Sequence, residues 1–171
     1  MSDTNIRRAG PQDATILAEL GRDTFVETFA HLYPPEDLAA FLEEAYSPAA
    51  FLSFLERPGH ALWLAESGEG AALGYAQAGP CALPHPEVTS GCGELKRLYV
   101  RGDAQGRGIG VALLNTAVRW LEAPGRKIWI GVWSGNAGAQ RLYGRHGFGK
   151  VGEYEFPVGQ TRDHEFILMR A

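Results

Sequence analysis

The chain has 171 residues, 45% apolar and 21% charged, which suits one domain, 1–171, able to bury a sizeable core. A net charge of −4 and a pI near 5.7 exclude sequence-independent nucleic-acid binding, which needs a basic surface, so no nucleic-acid partner is expected. No apolar run approaches the roughly 20 residues of a membrane span, and the start, Met-Ser-Asp-Thr-Asn-Ile-Arg-Arg, has no apolar leader core; the expectation is a cytoplasmic protein without a membrane partner, its two cysteines, Cys81 and Cys92, reduced.

Residues 6–9 are a short strand candidate. Pro11 suits the first turn of a helix, with Asp13 near its positive end. Leu17, Leu20, Thr24 and Phe25 follow helical spacing, and Phe29 and Leu32 extend the same face. Pro34-Pro35 stops that segment, and Glu36 and Asp37 open a second helix carrying Leu38, Phe41, Leu42 and Tyr46. Ser47-Pro48 reads as an N-cap followed by proline at the first helical position of a short third helix. Beyond Pro58-Gly59, residues 60–66 and 73–78 flank a glycine turn and read as a hairpin. A proline- and glycine-containing loop is expected over 79–93.

The chemical signal is concentrated in residues 94–112. The strand-like run Glu94-Leu-Lys-Arg-Leu-Tyr-Val100 leads into Gln105-Gly-Arg-Gly-Ile-Gly110, which opens a helical pattern from Val111 to Leu121. Strand, glycine loop and helix N-terminus together suit an anionic phosphate, because bare N–H groups and the helix dipole point at one spot. The plain alternative is a tight strand-to-helix turn. The dinucleotide fingerprint fails: Val111 stands where a run beginning at Gly106 needs glycine or alanine, and Leu113 where one beginning at Gly108 does. Gly144-Arg-His-Gly-Phe-Gly149-Lys150 matches P-loop spacing, but Val151 replaces the magnesium-holding hydroxyl and the run follows a helix, not a strand. What remains is a pyrophosphate loop of the form Gln/Arg-x-x-Gly-x-Gly, met by Gln105, Gly108 and Gly110.

After that loop, residues 127–133 are a buried-strand candidate, Asn136 starts a short helix to about Arg145, and 151–156 and 164–169 read as an antiparallel pair. The strand–helix–strand unit 94–133 predicts a right-handed crossover between parallel strands. This is an α/β chain with helices packed on a sheet.

These motifs resemble the GNAT N-acetyltransferases. Leu95-Lys-Arg-Leu-Tyr-Val100 is similar to that family's fourth strand. The spacing Asn136, Ala139, Leu142-Tyr143, Gly147-Phe148 is similar to its second cofactor motif. The resemblance implies a mixed, mainly antiparallel sheet with a central parallel strand pair, flanked by helices. It also implies acetyl-CoA as co-substrate and direct acetyl transfer to a small-molecule primary amine. Residues 23–29, 45–46 and 128–133 look like the bacterial spermidine/spermine-type branch, so a polyamine is the first acceptor expected; a protein N-terminus or lysine comes next. A non-catalytic module that senses acyl-CoA, and a nucleotide-binding protein using residues 144–150, are the rival readings.

By that resemblance, backbone groups of Gln105, Gly106, Arg107, Gly108, Ile109, Gly110 and Val111 wrap the pyrophosphate. Leu98, Tyr99 and Val100 offer main-chain groups to the pantetheine arm, in a strand that the family splays from its neighbour with a bulge. Asn136 and Ala139 contact the same arm, and Asn136 caps its helix. Tyr143 resembles the acid that protonates the departing thiolate, or else is a core aromatic. Glu94 is the candidate base, since an amine is mostly protonated at neutral pH; the alternative is a surface carboxylate. Asp23, Glu27, Glu43 and Glu44 are further candidates for recognising a cation. His146 is expected to be exposed. Cys81, His85 and Cys92 lack zinc spacing, so no metal is expected. The tryptophan-rich strand 128–133 reads as core before interface, although the family resemblance allows a homodimer.

Overall fold

In the computed structural model, which describes residues 3–171, β1 (Thr4–Arg8) precedes three helices, α1 (Ala14–Phe29), α2 (Pro35–Ala45) and α3 (Pro48–Glu56). A hairpin follows, β2 (Ala61–Ser67) and β3 (Ala72–Pro80), then β4 (Gly93–Val100), α4 (Ile109–Leu121) and β5 (Ile128–Trp133). The chain ends with α5 (Ala137–Arg145), β6 (Gly149–Val158) and β7 (Thr161–Arg170). The strands form one sheet in the order β1-β2-β3-β4-β5-β7-β6. Every neighbouring pair is antiparallel except β4 and β5, the predicted parallel pair.

Helices cover both faces. On one, α4 presents Leu113, Leu114, Ala117, Val118 and Leu121, one apolar stripe at helical spacing, to Ala76, Ala78, Leu95 and Ile130. Each fully buried leucine there contributes about 1.5–3 kcal/mol. On the other face, Leu17, Leu20 and Phe25 of α1 and Phe51 of α3 pack on Leu62, Leu64 and Tyr75. Gly21 lets Tyr46 lie against α1: a Cβ there would sit 2.5 Å from the Tyr46 ring.

The centre of the sheet is irregular. Gln77 pairs with Arg97 and Ala78 with Leu95, which leaves Lys96 as an extra residue, a β-bulge. β4 and β5 pair at three positions, Gly93–Ile128, Glu94–Trp129 and Leu95–Ile130, and pairing stops where the bulge begins. Beyond Leu95 the strands diverge.

Some boundaries differ from the sequence reading. Gly79 and Pro80 belong to β3 and Gly93 to β4, because they pair with each other's strand despite their turn-like composition. α1 ends at Phe29, and Leu32 lies in a separate 3-10 turn. α4 starts at Ile109, two residues early. His146 is half-buried, its Nδ1 2.9 Å from the Leu142 carbonyl oxygen.

Candidate active site

The divergence of β4 and β5 opens a cleft of about 840 Å³. Of the residues singled out from the sequence, Glu94, Leu98, Tyr99, Val100, Gln105, Asn136, Ala139 and Tyr143 line it. Gly106 to Val111 follow Gln105 and sit outside the lining, at the N-terminus of α4.

That loop is shaped as the sequence required. Gly106 and Gly108 have φ of +80° and +78°, which side chains rarely adopt. Among the described residues, the N–H groups of residues 106–111 have no hydrogen-bond partner. Six free donors at the positive end of a 13-residue helix make a cradle that fits a pyrophosphate. Gln105 Nε2 donates to the Val100 carbonyl at 3.1 Å, joining cradle to strand. Arg107 is exposed and donates to the Asp103 carbonyl. Asp23 and Glu27, considered above for cation recognition, instead anchor the approach to the loop. Asp23 pairs with Arg101 at 2.9 Å, and Glu27 accepts from the Gly102 N–H at 2.8 Å. Glu43 and Glu44 are exposed and do not line the cleft.

Asn136 Oδ1 accepts from the Ala139 N–H at 3.1 Å and caps α5. One turn after Ala139, Tyr143 reaches the cleft while only 6% exposed. Burial pushes its phenol above the ordinary value, so it holds its proton at neutral pH and can give it to a stronger base formed in front of it.

Glu94 is buried, with one oxygen engaged twice: Oε1 accepts from the Ala82 N–H at 3.0 Å and from Lys96 Nζ at 3.1 Å. Two carboxylates of β7, Asp163 and Glu165, line the same cleft and were not read from the sequence. Burial raises the Asp163 carboxyl, and burial together with the Asp163 charge lifts Glu165 to about 7. Tyr33, which follows α1, donates its hydroxyl to Asp163 across 130 positions of sequence. Two acids at i and i+2 on a strand opposite Phe156 and Tyr154 look like ordinary alternation; nothing local says that this face borders a cleft.

Arg97 is the other residue the sequence reading missed. Its guanidinium stands 4.2 Å from the Tyr46 ring centre and has no carboxylate partner among the described residues. Beside it in register, Gln77 is 7% exposed and its Oε1 accepts no hydrogen bond. Among the described residues, no group of three or more His, Cys, Asp or Glu is placed to hold a metal ion. No helix among them is long and apolar enough to cross a membrane.

The family model described as "Acetyltransferase (GNAT) family" matches residues 22–148, and the chain belongs to that family. It is therefore an N-acetyltransferase by fold and membership. An uncharacterized N-acetyltransferase from the pepI 3′ region of Lactobacillus delbrueckii subsp. lactis is 28% identical over 100% of this chain and 99% of its own length. An uncharacterized N-acetyltransferase of Mycobacterium bovis is 29% identical over 92% and 97%. The crystal structure of the PaiA N-acetyltransferase from Thermoplasma acidophilum in complex with coenzyme A matches with a TM-score of 0.76 at 20% identity, covering 98% of each chain; the two share a fold.

Proposed function

We propose that the protein transfers the acetyl group of acetyl-CoA directly to a primary amine, a polyamine being the first acceptor. The observation that carries this reading is the gap between β4 and β5, with a row of free N–H donors at the start of α4 beside it and carboxylates of β4 and β7 lining it. The neighbour solved with coenzyme A supports the donor assignment.

Acetyl-CoA would supply an activated thioester. Backbone N–H groups of residues 106–111 would bind its pyrophosphate, with Arg107 adding charge. Past Leu95, β4 has no partner on its β5 side, so along the strip Leu98, Tyr99, Val100 the main-chain groups of Leu98 and the Val100 N–H face the gap to hold the pantetheine arm and polarise the thioester carbonyl, while Tyr99 pairs toward β3 and the Val100 carbonyl is taken by Gln105. Asn136 and Ala139 border the same arm. Tyr143 donates a proton to the leaving sulfur. Glu94, with Oε2 unengaged, places negative charge where a cationic acceptor enters.

The resemblance of residues 23–29, 45–46 and 128–133 to the spermidine/spermine branch, and the carboxylates in the cleft, support a polyamine. Arg97, whose guanidinium donates to the Ala45 carbonyl but has no carboxylate partner among the described residues, favours a second reading, an amine that also bears a carboxylate, such as an amino acid or a peptide N-terminus.

Calorimetric titration with acetyl-CoA and with ATP, followed by acetylation of a panel of polyamines, amino acids and peptides, tests the reading. Acetyl-CoA should bind, ATP should not, and at least one amine class should be acetylated. ATP binding without acetyl-CoA binding would overturn the donor assignment. Acetyl-CoA binding with no acceptor in a broad panel would favour the sensing module instead.

A further inference from the structure

Four carboxylates line the cleft, and their surroundings differ: Glu155 of β6 is exposed to solvent. Glu94 is bonded to an ammonium and a backbone N–H. Asp163 accepts from the Tyr33 hydroxyl. Glu165 has neither a cation nor a hydrogen-bond donor among the described residues: it is half-buried, opposite Trp133 on β5 and Tyr154 on β6. Trp133 ends β5, and the turn after it leads into α5, which carries Tyr143. The topology thus brings a free carboxylate and a protonated phenol to one gap, from β7 and α5 respectively. The hairpin carrying Glu165 is fastened: Asp37 of α2 accepts from Thr161 Oγ1 at 2.7 Å at the β6–β7 turn.

We propose that Glu165 takes the proton of the acceptor's ammonium, while Asp163, oriented by Tyr33, holds that cation beside it.

The balance is simple. One N–H bond of the ammonium breaks and its proton joins the Glu165 carboxylate. The freed nitrogen pair forms the C–N bond to the thioester carbonyl carbon, the C–S bond breaks, and the sulfur takes the Tyr143 proton. The second surplus nitrogen proton restores Tyr143, and Glu165 releases its own to solvent. One ammonium and one thioester become an amide, a thiol and a proton.

The charged and titratable groups that line the cleft with Glu165 are Asp163 on its own strand, Tyr154 and Glu155 on β6, Tyr33 after α1, Tyr46 after α2, Glu94, Lys96, Arg97 and Tyr99 on β4, and Tyr143 on α5. Burial and Asp163 keep the Glu165 carboxyl protonated up to about pH 7, so the base form is present above that pH and lost below it. Turnover should therefore rise with pH through that value.

This assignment rests on the transferase reading, and one set of full-length variants separates the two. In the wild type, kcat/KM for the best amine should rise with a midpoint near 7. E165Q should fold, because it removes a charge that burial disfavours. It should lower kcat by about 10²–10⁴-fold, abolish the rising limb and leave acetyl-CoA affinity unchanged. D163N should mainly raise the amine KM and lower the midpoint of Glu165, followed directly by carbon-13 carboxyl titration. E94Q should keep the limb. Full turnover and an intact limb in E165Q, or loss of the limb in E94Q alone, would overturn the assignment. So would a Glu165 carboxyl that titrates in the ordinary range. Failure of the wild type to acetylate any amine would bring down the transferase reading and this assignment with it, whereas a failure confined to E165Q's expected effect leaves the transferase reading standing.

Discussion

The two halves of the cleft are built by different means. The half made by β4, the glycine loop, α4 and α5 works through the backbone: free N–H groups, two left-handed glycines and an unpaired strand edge. The half made by α1, the 3-10 turn after it, β6 and β7 works through side chains brought together from distant positions, as in Tyr33 and Asp163. Backbone binding constrains which residues can stand at each place, and so leaves glycines at set spacings. Side-chain binding needs only that two surfaces meet in the fold. The first half can therefore suit one donor while the second varies with the acceptor.

The comparison can be broken most sharply at Gly108. G108W puts an indole into the cradle at a φ of +78°, and calorimetry should then detect no acetyl-CoA binding. The strain should cost about 1–2 kcal/mol of stability, small beside the loss of binding. Retained affinity would move the pyrophosphate away from the loop. The next largest effect is expected from Y143F. It should cut kcat by about 10²–10³-fold in steady-state assays, with acetyl-CoA affinity unchanged. Unaltered turnover would return Tyr143 to the role of a core aromatic.

Gly21 probes the acceptor half alone. G21A drives a methyl into the Tyr46 ring, 2.5 Å away, and Tyr46 in turn carries Arg97. Urea denaturation should show a loss of about 1–3 kcal/mol, and the amine KM should rise while acetyl-CoA binding stays the same. A parallel loss of cofactor affinity would mean that the halves are mechanically coupled.

The smallest expected effect is at the outer edge of that half. There Asp13, just before α1, accepts two hydrogen bonds from Arg7, which also pairs with Glu66. The Arg7 bonds hold the Asp13 carboxyl below its ordinary value of 3.8. Its contribution is therefore present above that pH and is lost as pH falls through the lower folded-state value. The wild-type urea midpoint should fall on acidification below about pH 4, and D13N should show a lower midpoint at pH 7 and a flatter acid limb. Equal midpoints at pH 7 would make the cluster energetically idle.

Much of the fold was legible because its signals are local. Apolar spacing marks α4, proline and serine mark the start of α3, and the glycine turn at 68–70 marks the β2–β3 hairpin. The parallel pair followed from a strand–helix–strand order. The bulge was not legible: Lys96 is an ordinary strand residue, and only the pairing of Gln77 with Arg97 and Ala78 with Leu95 reveals it as extra. Gly79, Pro80 and Gly93 misled for the same reason, since neighbouring strands outweighed their local preference. In the site, the glycine loop, Asn136 and Tyr143 were readable at fixed spacings along one stretch, whereas Asp163 and Glu165 resemble any polar positions of an edge hairpin. Asp23 and Glu27, plausible cation binders by sequence, are consumed by Arg101 and Gly102.

By itself, then, the sequence determined the family and the glycine loop that opens α4, because a glycine that must adopt positive φ and a helix that must begin beside it leave a pattern within about 20 residues. The tertiary structure alone decided where β4 leaves β5, which carboxylates face the gap and which are already paired. Those are properties of burial and of partners far away in the chain, and no local run of residues records them.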